Sequence, residues 1–357
     1  MEKFELRLKN VQKVLGRKHI DAVYISSIRN IRYLTGFTGS SGFVLITKDK
    51  GLFFTDFRYK EQAGIEVRGY ERGLESGRRM QALHTLVKKL GIKKLGFEAS
   101  VAYEFFELLK GLPANLEPQV NLIENLRKIK DKEEISSTKE AALRAEQAFL
   151  DIKPKIRVGA REREIALRLE EQLKKGGCRS IPFDIIVASG KNSAMPHAQP
   201  TERKIEKGDF VIIDWGGEAQ GYFSDMTRTL LMAGNSLSEK ITIYNVVNKA
   251  RRLAIESVKK GVKTSGIDGV ARDTITRAGY GEYFGHGTGH GVGLDVHEAP
   301  RLSRVKGEPV RSGMVFTVEP GIYVPGLGGV RIEDMVAVQE DRVLLLTTLS
   351  RELEIIK

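Results

Sequence analysis

The sequence predicts an α+β protein, with a smaller α/β domain followed by a larger domain of antiparallel hairpins flanked by helices. Three observations carry this expectation. Over residues 1–126, segments with apolar positions at helical spacing alternate with short β-rich runs. A charged segment, Arg127 to Glu134, then opens a long helical stretch. Beyond it, helical windows lie between strand-rich segments that turn back through short glycine-containing loops, which is the pattern of helices packed on antiparallel sheet. The change of character at Leu126/Arg127 places the domains at 1–126 and 127–357.

In the first domain, Phe4 to Leu15 has helical spacing and precedes the strand Ala22 to Ile25. Glycines at 36, 39 and 42 lead into Phe43 to Ile46 and then Leu52 to Thr55, both strand-like. A helix over Ala82 to Leu90 and a strand over Lys94 to Phe97 follow. The second domain opens with helices near 133–153 and 162–175. Strands follow at Asp184 to Val187, Phe210 to Asp214 and Tyr222 to Leu231, then helices from Glu239 to Lys259 and Ser265 to Ala278. The last eighty residues return to glycine-rich turns and strands.

Composition narrows the function classes. The chain has 357 residues, of which 41% are hydrophobic and 29% charged, enough to build substantial cores. Its single cysteine, Cys178, excludes an intramolecular disulfide framework and a thiolate zinc cluster. No apolar run approaches the ~18 residues of a membrane helix. The first twenty residues carry Glu2, Lys3, Glu5, Arg7, Lys9 and Lys13, so no secretory signal and a cytoplasmic location are expected. The net charge of +12 is spread along the chain rather than focused in a basic stripe with interleaved aromatics, so no nucleic-acid partner is expected. It could still attract substrates bearing a free carboxylate.

The most informative stretch is Val211-Ile212-Ile213-Asp214-Trp215, a polar turn at 218–221, and Tyr222-Phe223-Ser224-Asp225-Met226-Thr227-Arg228-Thr229. If the turn centres between Ala219 and Gln220, Asp214 and Asp225 lie directly opposite on one face, with Cβ atoms ~5 Å apart. Two like charges in an apolar strand environment are costly unless a cation or a shared proton compensates. The construction recurs near the C-terminus. Glu319, in Thr317-Val318-Glu319-Pro320-Gly321, lies opposite Glu333, in Val330-Arg331-Ile332-Glu333-Asp334, when the turn centres on Gly326. Pro320 puts Glu319 beside a bulge or a sheet edge.

Between the hairpins lies Gly285-His286-Gly287-Thr288-Gly289-His290-Gly291, whose glycines permit close backbone approach around His290. Asp214, Asp225, His290, Glu319 and Glu333 are separated by 11, 65, 29 and 14 residues. Four carboxylates and one imidazole form an oxygen-rich donor set suited to two divalent ions, Mn²⁺ or Co²⁺, with Zn²⁺ also accommodated. Such a pair of ions can hold a bridging hydroxide near neutral pH and polarise a carbonyl, which makes hydrolysis the natural chemistry.

These motifs resemble the prolidase and aminopeptidase P family of pita-bread metallopeptidases, with its creatinase-like N-terminal domain. The catalytic match spans 182–340. A looser one, Tyr33-Leu34-Thr35-Gly36-Phe37 and Phe54-Thr55-Asp56-Phe57-Arg58-Tyr59, extends it across the chain. The resemblance implies that Asp214 chelates one metal, that Asp225 and Glu333 bridge both, and that His290 and Glu319 serve the other. Glu319 is also the implied proton acceptor. His197 would touch substrate around the scissile bond, and His297 would stabilise the tetrahedral intermediate. Thr227 and Arg331 resemble groups that orient Asp225 and Glu333, while His286 and Trp215 are structural.

The family divides into prolidases, which cleave Xaa-Pro dipeptides, and aminopeptidases P, which act on longer chains. Arg301 resembles the position where some prolidases recognise a free C-terminal carboxylate, so a prolidase is expected, with aminopeptidase P as the alternative. Peptides with proline in the second position and a second copy of the chain are the implied partners. Pita-bread homologues that bind macromolecules without catalysis form another class. The complete ligand set disfavours that class and also creatinase, while the extra N-terminal domain disfavours methionine aminopeptidase.

Overall fold

The computed structural model describes residues 3–357 other than Ser76, Arg78 and Lys306. The chain divides into two compact units, Met1–Arg127 and Lys128–Lys357. In the first, helix α1 (Lys3–Lys18) leads to strand β1 (Ala22–Ile25), helix α2 (Ile28–Thr35) and the hairpin β2 (Phe43–Thr47) and β3 (Gly51–Thr55). Helix α3 (Lys60–Glu66), β4 (Glu71–Leu74), α4 (Arg79–Lys89), β5 (Lys94–Glu98), α5 (Tyr103–Leu109), β6 (Asn115–Gln119) and α6 (Glu124–Arg127) complete it. Its six-stranded sheet has the order β4-β3-β2-β1-β5-β6, antiparallel from β1 to β3 and parallel elsewhere. Every residue of β1 is buried, as the uninterrupted apolar run Ala22-Val23-Tyr24-Ile25 requires of a central strand.

The second unit opens with helices α7 (Lys132–Ile152) and α8 (Glu162–Lys175) and strands β7 (Ile186–Ser189), β8 (Phe210–Trp215), β9 (Glu218–Ala219), β10 (Tyr222–Phe223) and β11 (Met226–Met232). Helices α9 (Ser238–Glu256) and α10 (Thr264–Arg277) follow. Strands β12 (Gly289–Gly291), β13 (Glu298–Leu302), β14 (Val315–Val318), β15 (Gly321–Val324), β16 (Gly328–Arg331), β17 (Asp334–Val338), β18 (Val343–Leu345) and β19 (Ile355–Ile356) complete the chain. One sheet has the order β19-β11-β8-β7 and another β13-β12-β14-β17-β18, with two-stranded ribbons β9-β10 and β15-β16 beside them. This is the mixed α+β architecture that the sequence predicts. No helix among the described residues is long and apolar enough to cross a membrane.

Helix α7 starts where chemistry dictates. Asp131 accepts from the Glu134 N–H at 2.9 Å, and the Glu134 carboxylate accepts from the Asp131 N–H at 2.9 Å, a reciprocal capping box. Its alanine-rich face, Ala141, Ala142, Ala145 and Ala148, permits close backbone approach. Trp215 stacks on Phe149 with centroids 4.7 Å apart, and its indole N–H donates to the Ala145 carbonyl at 2.8 Å. Trp215 is thus packed in the sheet, and α7 fixes the end of β8.

Alternation on β8 and β11 then decides where the acids go. Val211, Ile213 and Trp215 join Met226, Leu230 and Met232 in the core under α7 and α8. Asp214 and Thr227 consequently share the opposite face, with Asp225 at the same parity. The register corrects the expected hairpin. Thr227 pairs with Asp214 and Tyr222 with Ala219, so Asp225 lies two residues beyond the position opposite Asp214. The cause is the turn, in which Gln220 and Gly221 both have positive φ (51° and 81°), the mirror-image two-residue loop favoured by strand twist. A slip of two keeps every side chain on its face, whereas a slip of one would have reversed them.

The C-terminal hairpin has the register that the turn on Gly326 predicts. Val318 pairs with Asp334 and Gly321 with Arg331. Glu319-Pro320 and Ile332-Glu333 fall in a gap between these ladders, where Pro320 has no N–H to donate.

Glu162 anchors the loop after β7. Fully buried, it accepts from the Ser189 N–H and hydroxyl at 2.7 Å each, from Asn192, and from the Thr201 N–H at 3.0 Å. Glu162→Ala orphans these donors and should destabilise the unit by about 3 kcal/mol. A drop of several degrees in Tm by scanning calorimetry is the expected result, and an unchanged Tm would contradict this anchoring role.

Candidate metal centre

The five donors reach the centre from several parts of the scaffold. Asp214 comes from β8, Asp225 from the approach to β11, His290 from β12, and Glu319 and Glu333 from the ladder gap. Glycines flank His290 because space is absent there: a Cβ at Gly289 would collide with the Thr317 carbonyl, and one at Gly291 with the Ala299 carbonyl.

Three groups of donor atoms lie within 4.8 Å of one another: Asp214, Asp225 and Glu333; His290, Glu319 and Glu333; and Asp225, His290 and His297. The His290 Nε2 lies 3.5 Å from Asp225 Oδ2 and 3.3 Å from Glu319 Oε1. Its Nδ1 is 3.1 Å from the Gly291 carbonyl, which only accepts, so that nitrogen carries the proton of the neutral ring. Burial holds the imidazole below its ordinary pKa. The Nε2 lone pair therefore faces two carboxyl groups, an arrangement that a proton or a cation between them would satisfy.

The surrounding bonds fasten some oxygens and leave others. Arg331 donates to Asp214 Oδ2 at 2.6 Å, and the Thr227 hydroxyl donates to Glu333 Oε2 at 2.7 Å. The other oxygen of each, Asp214 Oδ1 and Glu333 Oε1, is buried and makes no hydrogen bond among the described residues. Burial, reinforced by neighbouring carboxylates, pushes Asp225 and Glu333 well above the ordinary carboxyl range, and burial also raises Glu319. Two ionised carboxylates at about 4 Å repel by roughly 4 kcal/mol at an effective dielectric of 20. Orphaned oxygens, an imidazole lone pair and clustered acids fit hard divalent cations.

Arg331 departs from its implied role. Its Nη2 bonds Asp214, its Nε bonds the Thr227 hydroxyl at 3.1 Å, and only through Thr227 does it reach Glu333. Arg331 comes from β16, and the meeting of its hairpin with β8–β11 brings it to Asp214 and to the Thr227 paired with it.

The remaining sequence candidates lie at the margin. His297 is exposed, with its ring 4.3 Å from that of His290. Arg301, also exposed, is paired directly across from His290. His197 is exposed in the β7–β8 loop, where the preceding Pro196 carbonyl accepts from Arg331 at 3.2 Å. His286 sits behind the centre, with Nδ1 2.8 Å from the Gly287 carbonyl and Nε2 2.9 Å from the Tyr323 hydroxyl.

Two residues escape the sequence argument. The Thr317 hydroxyl accepts from the His290 N–H at 3.1 Å and donates to Glu319 at 3.0 Å, and its place two residues before Glu319 was the available signal. Tyr323 accepts from Arg331 at 2.8 Å, with its own pKa raised to about 12 by burial. In sequence it is indistinguishable from a core aromatic.

Known proteins resemble the chain along its whole length. Residues 136–340 match the model of metallopeptidase family M24, and residues 7–129 match the creatinase/prolidase N-terminal domain. An Xaa-Pro dipeptidase of Pyrococcus horikoshii is 38% identical, covering 97% of this chain and 98% of its own. The solved Xaa-Pro dipeptidase from Bacillus anthracis is 41% identical and superposes with a TM-score of 0.96, covering 99% of this chain and all of that one. The X-Pro aminopeptidase from Thermotoga maritima is 36% identical with a TM-score of 0.89, covering 97% and 99%. The chain thus belongs to metallopeptidase family M24 and carries a creatinase/prolidase N-terminal domain.

Proposed function

We propose that this metallopeptidase is an Xaa-Pro dipeptidase that works with two divalent ions, Mn²⁺ or Co²⁺. The observation that carries the proposal is the convergence of four acids and His290 with two orphaned carboxylate oxygens. Asp214 would hold one ion, His290 and Glu319 the other, and Asp225 and Glu333 would be shared between them. Asp225 and Glu333 group with Asp214, and each also groups with His290, which supports the sharing. Residues 127–357 form the catalytic domain and 1–126 the creatinase-like one.

Bound ions supply an acidified water and a polarised scissile carbonyl. Glu319 accepts the proton of the attacking water and returns it to the departing proline nitrogen. His297 donates to the carbonyl oxygen as negative charge develops there, and His197 holds the substrate around the scissile bond. Arg301 takes the free carboxylate of the dipeptide through charge-assisted hydrogen bonds. Its place across from His290 supports this assignment. The proposal includes a cytoplasmic homodimer acting on small peptides.

Aminopeptidase P activity is the second reading, favoured by the likeness to the Thermotoga maritima structure. Relative kcat/KM for Ala-Pro and Ala-Pro-Ala separates the two, and a preference for the tripeptide would reverse the subdivision. Arg301→Ala should raise KM for Ala-Pro roughly tenfold or more, the worth of a charged hydrogen bond; an unchanged KM removes Arg301 from carboxylate recognition. Glu319→Gln should lower kcat by roughly 100-fold or more. Dialysis against a chelator should abolish hydrolysis and lower Tm, and Mn²⁺ or Co²⁺ should restore both. Activity indifferent to these steps would end the metal assignment.

A further inference from the structure

We infer that Arg228 is a positioning residue for the metal-ligating carboxylates, fixing Glu333 and Thr227 from behind and tying them to the C-terminal segment Thr347 to Arg351. The inference rests on the metal assignment above and extends it to residues outside the donor set.

Arg228 is 3% exposed, and all five of its N–H groups are used. The Nε donates to the Ser350 carbonyl at 3.0 Å. The Nη1 donates to the carbonyls of Thr227 at 2.9 Å and Glu333 at 2.6 Å, and the Nη2 to Asp334 Oδ1 at 2.9 Å and the Leu349 carbonyl at 3.0 Å. Two of these acceptors are the backbone of the pair whose side chains already bond each other, Thr227 and Glu333. The Glu333 N–H also donates to the Thr227 carbonyl, at 3.1 Å. By strand alternation Arg228 points away from the face shared by Asp214 and Thr227, so it holds ligands without being one.

The clamp is anchored on its far side. Asp334, fully buried, also accepts from Arg251 at 2.6 Å, Arg351 at 3.1 Å and Thr347 at 2.8 Å. The carbonyls that Arg228 needs from Leu349 and Ser350 are held independently. Glu146 on α7 accepts from the backbone of Thr348 and, at 3.0 Å, from that of Leu349, while Tyr244 donates to the Arg351 carbonyl at 3.1 Å. Freedom at Glu333 is therefore set by a chain of contacts running from α7 through the C-terminal segment to one guanidinium. Lysine keeps the charge there and loses the five-donor fork.

The test titrates Mn²⁺ by calorimetry into chelator-stripped protein and records the Tm of each stripped form. Arg228→Lys should weaken Mn²⁺ binding roughly tenfold to a hundredfold, the usual effect of losing a ligand-orienting partner. Arg203→Lys, at a side chain that meets Asp209 and Glu206 outside the clamp, should lower the stripped Tm while keeping wild-type Mn²⁺ affinity. Unchanged affinity in Arg228→Lys would overturn the inference, as would an equal loss in Arg203→Lys, which would reduce Arg228 to general stability. Should Arg228→Lys fail to fold, Asp334→Asn keeps the shape and one acceptor oxygen. A several-fold weaker Mn²⁺ site is then expected, and wild-type affinity overturns the inference. Wild-type protein that takes up no Mn²⁺ would instead sink the metal assignment beneath it, so the two failures are distinguishable.

Discussion

Mutual repulsion among buried carboxylates is the constraint around which the second unit is organised. The chain brings Asp214, Asp225, Glu319 and Glu333 together, and burial among neighbouring carboxylates pushes Asp225 and Glu333 well above the ordinary range, a cost that a shared cation would relieve. At Asp214 and Glu333 one oxygen is fastened outward, by Arg331 and Thr227, while the other is left bare toward the centre. That split fixes orientation without consuming the lone pairs that a cation needs. Thr317 extends the scheme by bonding both the His290 backbone and the Glu319 carboxylate.

The division of labour follows burial. Groups assigned to ions come from strands and from the gap between ladders, where neighbouring backbone holds them. His197, His297 and Arg301, assigned to substrate, are exposed and sit on a loop or at the sheet margin. Enclosed donors beside exposed recognition groups is the arrangement expected where the same centre must accept a succession of peptides.

Much of this was legible in the sequence because strand geometry is periodic. Alternation alone put Asp214 and Asp225 on one face, and it tolerated a wrong turn centre because the error was an even number of residues. The C-terminal register followed from Gly326 and survived the Pro320 interruption. What was not legible depends on contacts between segments far apart in the chain. That Arg331 would choose Asp214, or that Tyr323 would join Arg331 to His286, is set by how two hairpins meet, and no local pattern encodes it. Gln220 at positive φ was hidden for another reason: glutamine is not a residue that announces a mirror-image turn.

The gap at Glu319-Pro320 and Ile332-Glu333 separates two ladders that keep one common alignment. The outer ladder β15–β16 carries Tyr323 and Arg331, so the two glutamates are held from both sides of the gap. A change of length at the Gly326 turn that slid this ladder would pull away the guanidinium that fastens Asp214, which ties the shape of a surface loop to the centre.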